Sequence, residues 1–164
     1  MKRLAILPGS FDPMTLGHLE LAQAAAKEFE HLVIAVMINR EKQTLFSPEE
    51  RVEIAKRTVG ELPQAEVIFD GGMLIDLYDR LGADAVVKGY RDRNDLAYEQ
   101  KMADWNRAHN RNFRTVLLQA EGPYAAVSST EVRRRLAAGE DLFGLVHPDA
   151  LPLIEAKRLA GKRE

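Results

Sequence analysis

Leu4-Ala5-Ile6-Leu7 followed by Gly9-Ser10-Phe11-Asp12-Pro13-Met14-Thr15-Leu16-Gly17-His18 is the stretch that decides the fold. The first four residues form a short apolar run of strand type. The next ten are rich in turn formers, and beyond them Leu21, Ala22, Ala25 and Phe29 recur on one helical face. The order is strand, turn, helix start. A helix N-terminus carries unpaired N–H groups and the positive end of the helix dipole, a setting that suits phosphate. His18 falls on the first turn, facing whatever that turn binds, and Gly17 withholds a side chain where a ligand would come close. Each residue alone is ordinary turn chemistry, since Asp and Pro both favour turns. The full string behind an N-terminal strand reads as a nucleotide-phosphate site.

The same alternation continues to the end of the chain. Strands are expected at 3–7, 32–37, 66–69, 84–88 and 114–119, and helices at 17–29, 48–60, 73–81, 93–110, 129–138 and 149–160. Ser47-Pro48-Glu49-Glu50 is a helix start with Ser at the N-cap, Pro at the first position and Glu three residues on. Gly60 and Pro63 mark where that helix stops. Strands alternating with helices imply right-handed βαβ units. The expectation is a single doubly wound, Rossmann-like α/β domain over residues 1–164, with a mostly parallel five-stranded sheet and helices on both faces.

Bulk composition narrows the function classes. A chain of 164 residues fits one domain, which buries roughly 70% of its unfolded surface. A formal charge of −2 gives no general attraction for nucleic acid or anionic membrane. With no Cys there is no disulfide framework, thiolate nucleophile or Cys-based zinc site. Met1-Lys2-Arg3 precedes only four apolar residues, too few for a signal peptide, and no run reaches transmembrane length. A cytoplasmic protein acting on small molecules is the expectation.

In sheets of this kind ligands lie beyond the carboxyl ends of the strands, where strand order reverses. That rule collects scattered segments onto one rim. The loop 9–18 follows the first strand and Asn39-Arg40-Glu41-Lys42 the second; Lys88-Gly89-Tyr90-Arg91 follows the fourth and the segment 124–130 the fifth. His18, Lys42, Lys88 and Arg91 would then surround helix N-termini, an arrangement for polyphosphate. Ser128-Ser129-Thr130-Glu131 opens a helix, with Ser128 and Glu131 spaced as a capping box. Arg133, Arg134 and Arg135 cannot all face one ligand at helical spacing. Asp12, an anion in a phosphate loop, reads as an Asx-type cap of its own turn rather than a metal ligand.

These segments together resemble the bacterial phosphopantetheine adenylyltransferases, members of the nucleotidyltransferase superfamily marked by a (H/T)xGH motif. The resemblance spans essentially the whole chain. It rests on PGSFDPMTLGH at 8–18, Lys42, FSPEER at 46–51, KGYR with DLAYE at 88–99, MADWN at 102–106 and VSSTEVR at 127–133. Position 88 is Lys where the family usually has Arg, which keeps the charge but not the bidentate geometry. Ser10 stands where Thr is usual, Tyr90 where Leu is common and Tyr124 where Trp is common.

What the resemblance implies is transfer of AMP from ATP to 4′-phosphopantetheine, giving dephospho-coenzyme A and pyrophosphate. The attacking phosphate monoester is already anionic, so direct in-line attack needs positioning and charge stabilisation rather than a covalent intermediate. By the same resemblance His18 contacts the α-phosphate, Ser10 meets both reacting phosphates, Lys42 orients the acceptor phosphate and Arg91 holds the β- or γ-phosphate. Phe11, Gly89, Tyr90 and Glu99 lie by ATP, with Tyr124, Ala125, Ala126, Val127, Ser128, Ser129 and Thr130 around its base and terminal phosphates. Leu74, Met102 and Asn106 line the acceptor's pantetheine arm, and Lys88 binds the acceptor on the phosphate side. Mg²⁺ arrives with ATP, bound by phosphates and water and by no dedicated protein ligand. A homohexamer and feedback by coenzyme A are also implied.

Two other readings stay open on the residues. The acceptor is another phosphate ester, such as nicotinamide mononucleotide or glycerol phosphate, for a nucleotidyltransferase of different specificity. Alternatively the chain is a nucleotide-binding module without catalysis, against which the presence of His18, Lys42 and Arg91 argues.

Overall fold

A computed structural model describes residues 2–162; Met1 and residues 163–164 of the expected domain lie outside them. Five strands, β1 (Lys2–Gly9), β2 (Phe29–Met37), β3 (Ala65–Asp70), β4 (Ala85–Tyr90) and β5 (Thr115–Gln119), form one sheet in the order β3-β2-β1-β4-β5. Every pairing is parallel. Between and after the strands run α1 (Leu16–Ala26), α2 (Pro48–Thr58), α3 (Leu74–Leu81), α4 (Arg93–His109), α5 (Ser129–Ala138) and α6 (Leu151–Lys162). The chain winds outward from β1 to β3, then crosses back to build β4 and β5 on the other side. That is the doubly wound topology.

Strand periodicity explains why both faces are covered. Ala5 and Leu7 of β1 join Ile34, Val36 and Val87 in one core, roofed by Ala22 and Ala25 of α1, Ile54 of α2, Val132 of α5 and Ile154 of α6. Ile6, Ala35 and Val86 point the other way, onto Leu77 and Tyr78 of α3 and Phe113. Successive residues of a strand face opposite sides, so a run apolar at every position is satisfied only between two helical layers.

Two local expectations are corrected. The first helix stops at Ala26, not 29: the N–H groups of Lys27 and Glu28 donate to the carbonyls of Ala24 and Ala25, tightening the last turn. Phe29 instead opens β2 opposite Lys2 and is fully buried there. Either placement buries the ring, and no glycine marks the stop, so apolar spacing could not separate them. On α2 the reciprocal cap forms, Ser47 Oγ accepting from Glu50 N–H and the Glu50 carboxylate from Ser47 N–H. On α5 only half forms. Ser128 Oγ accepts from Glu131 N–H at 3.1 Å, while the Glu131 carboxylate takes Arg134 and Arg135 instead. The Glu131 side chain is thereby turned along the helix toward the guanidinium groups and away from the Ser128 N–H.

Candidate active site

β1 and β4 are the neighbours at which strand order reverses, and a cleft of about 740 Å³ opens beyond their carboxyl ends. Gly9, Ser10 and Phe11 leave β1 into its floor, Gly17 and His18 enter from α1, and Lys42 reaches in from the loop after β2. Lys88, Gly89, Tyr90 and Arg91 come from the end of β4, Glu99 from α4, and Ala125, Val127, Ser128 and Ser129 from the segment before α5. Thirteen of the sixteen residues expected around ATP and the reacting phosphates thus share one cleft. Tyr124, Ala126 and Thr130 do not line it. The Tyr124 N–H donates to Glu20 Oε1 at 2.9 Å, and Thr130 Oγ1 accepts from Arg133.

His18 sits at the third residue of α1 and takes part in the helix cap. Its backbone N–H donates to Thr15 Oγ1 at 3.3 Å, and Thr15 N–H donates back to His18 Nδ1 at 3.0 Å. The imidazole thus stands where a capping box usually has Glu or Gln. Because Nδ1 accepts, the neutral ring carries its proton on Nε2 and offers a donor to the cleft. Burial, with Lys88 adding repulsion, pushes the His18 pKa down to about 4. The ring is therefore an uncharged donor near neutrality. NMR titration is expected to show His18 ionising near pH 4 with the Nε2–H tautomer above it; ionisation at the ordinary 6.5 would contradict this environment. Since the folded value lies below the ordinary one, the neutral ring's contribution to stability is complete above pH 6.5 and is lost as pH falls toward 4.

Packing around that ring constrains the loop. Phe11 has φ +48°, in the left-handed region that a bulky residue rarely adopts, and is buried. Its ring meets His18 edge-on, with centroids 5.1 Å apart. A Cβ on Gly9 would lie 3.0 Å from the same ring, so Gly9 is the space Phe11 occupies. Gly17 lines the cleft, and the structure adds a second reason for glycine there. A Cβ there would stand 2.8 Å from the Tyr124 carbonyl and 2.9 Å from that of Val127. What approaches Gly17 closely is the 124–127 backbone, and the bare Cα lets that segment close over the start of α1.

Asp12 is structural, but it does not cap its own turn. Its carboxylate accepts from the N–H groups of Leu45 and Phe46, both at 2.9 Å, tying the loop 9–18 to the start of α2. Arg133 Nη1 donates to the Asp12 carbonyl at 2.7 Å. Arg134 holds Glu131 and Glu140, and Arg135 holds Glu131; none of the three arginines lines the cleft. Glu20, unremarked in the sequence, lines the cleft and anchors Tyr124, a contact across 104 residues that no local pattern announces.

A second cavity of about 120 Å³ adjoins the first. Leu74 at the start of α3, Met102 and Asn106 one turn apart on α4, and Thr115 on β5 line it. Lys88 and Glu99 line both cavities, with Nζ 3.9 Å from Oε1. The three residues expected along the acceptor arm therefore lie together, next to the phosphate end. Four carboxylates at or near the cleft have partners within the protein, and Glu121 lines it as well. Asp12 takes two backbone N–H groups, Glu20 one, Asp95 pairs with Arg91 and Glu99 with Lys88. Among the described residues no cluster of three metal-ligating side chains occurs, and no helix is long and apolar enough to cross a membrane.

Comparison with known proteins agrees with this layout. The cytidylyltransferase-like family model matches residues 6–135. The chain is 39% identical over 157 residues to a phosphopantetheine adenylyltransferase of Nocardioides, covering 96% of this chain and 98% of the relative. It is 36% identical over 162 residues to that of Clostridium botulinum, covering 99% and 98%. A solved chain from Vibrio parahaemolyticus, described as a nicotinate-nucleotide adenylyltransferase, superposes with a TM-score of 0.67 over 94% of this chain and 99% of its own. At 14% identity that likeness speaks for the fold alone. A parallel sheet with its cleft at the β1/β4 switch point, the His18-capped helix start and these relatives together make the chain a member of the cytidylyltransferase-like nucleotidyltransferases, in the phosphopantetheine adenylyltransferase family.

Proposed function

We propose that the protein transfers the AMP group of ATP to 4′-phosphopantetheine, releasing pyrophosphate and giving dephospho-coenzyme A, the penultimate step of coenzyme A assembly. The observation that carries this reading is the pair of joined cavities. A polar cleft beside His18 meets a small one in which Leu74, Val86, Met102 and Ala103 give apolar surface, Asn106 an amide, and Lys88 and Glu99 the charged wall shared with the cleft. A phosphate on a mixed apolar and amide arm matches the two together. The names of the relatives support the same acceptor.

The chemistry asks for geometry rather than a nucleophilic side chain. An oxygen of the acceptor phosphate attacks the α-phosphorus as the bond to the β-phosphate oxygen breaks, and pyrophosphate leaves with that electron pair. No net proton transfer is required. His18 Nε2–H donates to a non-bridging α-phosphate oxygen, where charge grows in the transition state. Lys42 and Ser10 hold the acceptor phosphate, Arg91 the departing phosphates, and Lys88 stands between the two. Mg²⁺ brought in with ATP would supply further charge neutralisation on the leaving group. A cytoplasmic homohexamer with feedback by coenzyme A at the same cleft belongs to this reading.

The test is pyrophosphate release from ATP and Mg²⁺ with 4′-phosphopantetheine, nicotinamide mononucleotide and glycerol 3-phosphate offered separately. Release with the first alone is expected. Release with another acceptor would keep the transfer chemistry and refute the arm assignment; ATP binding with silence toward all three would make the chain a nucleotide-binding module.

A further inference from the structure

Arg51 closes the FSPEER segment and lies in the second turn of α2, 2% exposed. Its guanidinium pairs with no carboxylate among the described residues. Nη1 donates to the Ser10 carbonyl at 2.8 Å and the Met37 carbonyl at 3.2 Å, while Nε is buried without a partner. Burying a cation without a counter-charge is costly, and a stability role alone is met more cheaply by an apolar residue. What the guanidinium touches indicates a different role. Ser10 follows the last residue of β1, and Met37 is the last residue of β2. The two strands are paired in register up to Gly9 and Val36. Just beyond, both chains leave the sheet, one carrying Ser10 and the other leading to Lys42.

Carbonyls at strand ends have run out of ladder partners. A single planar NH₂ group satisfies both here and so fixes the gap between the two departing chains. Ser10 and Lys42 are the groups assigned above to the acceptor phosphate. We infer that Arg51 is a positioning residue that sets the separation of Ser10 and Lys42 and thereby seats the acceptor phosphate for in-line attack. This rests on the proposed adenylyl transfer. Of the residues expected around ATP, Ser10 takes a hydrogen bond from Arg51, whereas the end of β4 and Ala125, Val127, Ser128 and Ser129 take none. Lysine keeps the charge at this position but lacks the planar, multi-donor head.

The experiment compares wild type, Arg51→Lys, Arg51→Met and the control Ile54→Val, a core change on the same helix. Thermal midpoint, ATP affinity and site count by calorimetry, and kcat/KM for 4′-phosphopantetheine per ATP-binding site are measured for each. Both Arg51 variants are expected to lose about 10²-fold in kcat/KM for the acceptor with ATP affinity within about twofold, because a misplaced reactant costs rate without costing nucleotide binding. Ile54→Val is expected to shift only the thermal midpoint. Scoring per ATP-binding site removes the contribution of unfolded protein, and Arg51→Lys decides if Arg51→Met does not fold. Wild-type kcat/KM in Arg51→Lys, an equal fall in ATP and acceptor parameters, or failure of both variants to fold would each overturn the inference. A wild type that binds ATP but does not use phosphopantetheine would overturn the functional reading and the inference with it.

Discussion

Replacing His18 by Ala is expected to lower kcat about 10²–10³-fold, the usual cost of removing one main donor to a developing oxyanion. The same change removes the acceptor for Thr15 N–H at the start of α1, which costs about 1 kcal/mol as a lost cap. Comparing the magnitudes decides which effect is read. A loss of about 1 kcal/mol from a domain stable by about 5–15 kcal/mol leaves nearly all molecules folded. The rate loss corresponds to about 2.7–4 kcal/mol of barrier, so it cannot come from unfolding. ATP affinity should change little, because the Nε2–H interaction strengthens mainly as charge builds in the transition state. Steady-state kinetics beside calorimetric ATP binding checks this. An unchanged kcat would remove His18 from the transition state, and a matching loss of ATP affinity would make it a ground-state contact.

Asp12→Ala is expected to produce the largest loss of stability among residues near the cleft. The carboxylate is 5% exposed and accepts two backbone N–H groups, of Leu45 and of Phe46. Phe46 is itself buried in the main core. An orphaned buried donor costs about 1–3 kcal/mol, so two together suggest about 3 kcal/mol after partial relaxation toward solvent. Arg133, 3.7 Å from the carboxylate, keeps its bond to the Asp12 carbonyl and adds little to the loss. For a chain of this length about 3 kcal/mol corresponds to a fall of about 6–12 °C in thermal midpoint. Asp12→Asn, which retains one acceptor oxygen, should lose roughly half as much. A midpoint for Asp12→Ala within about 2 °C of wild type would mean that the N–H groups find other acceptors and that Asp12 is not what joins the two loops.

Much of this architecture was legible because its determinants are local. Apolar runs at 4–7 and 32–37, the Ser47-Pro48 start and the Gly-rich loops punctuate the chain where the elements change. The topological rule then placed His18, Lys42, Lys88 and Arg91 on one rim, and they do share a cleft. What the sequence concealed depends on contacts between distant segments. Asp12 looks like a turn former because turns are its commonest setting; its partners lie 33 and 34 residues on. Gly17 suggests room for a ligand, yet the atoms that crowd it are the carbonyls of Tyr124 and Val127. Nothing local marks Glu20 or Arg51, because the backbone groups they meet come from other segments of the chain. Phe29 was misplaced for the opposite reason, since helix and strand would both have buried it.

The Lys88–Glu99 pair forms a shared wall between the two cavities. A substitution there alters the lining of both cavities at once. On the proposed reading, position 88 cannot be retuned for one substrate without changing the surface met by the other. One compact charge is thus held in common by two cavities, and no change of side chain at position 88 reshapes one of them alone.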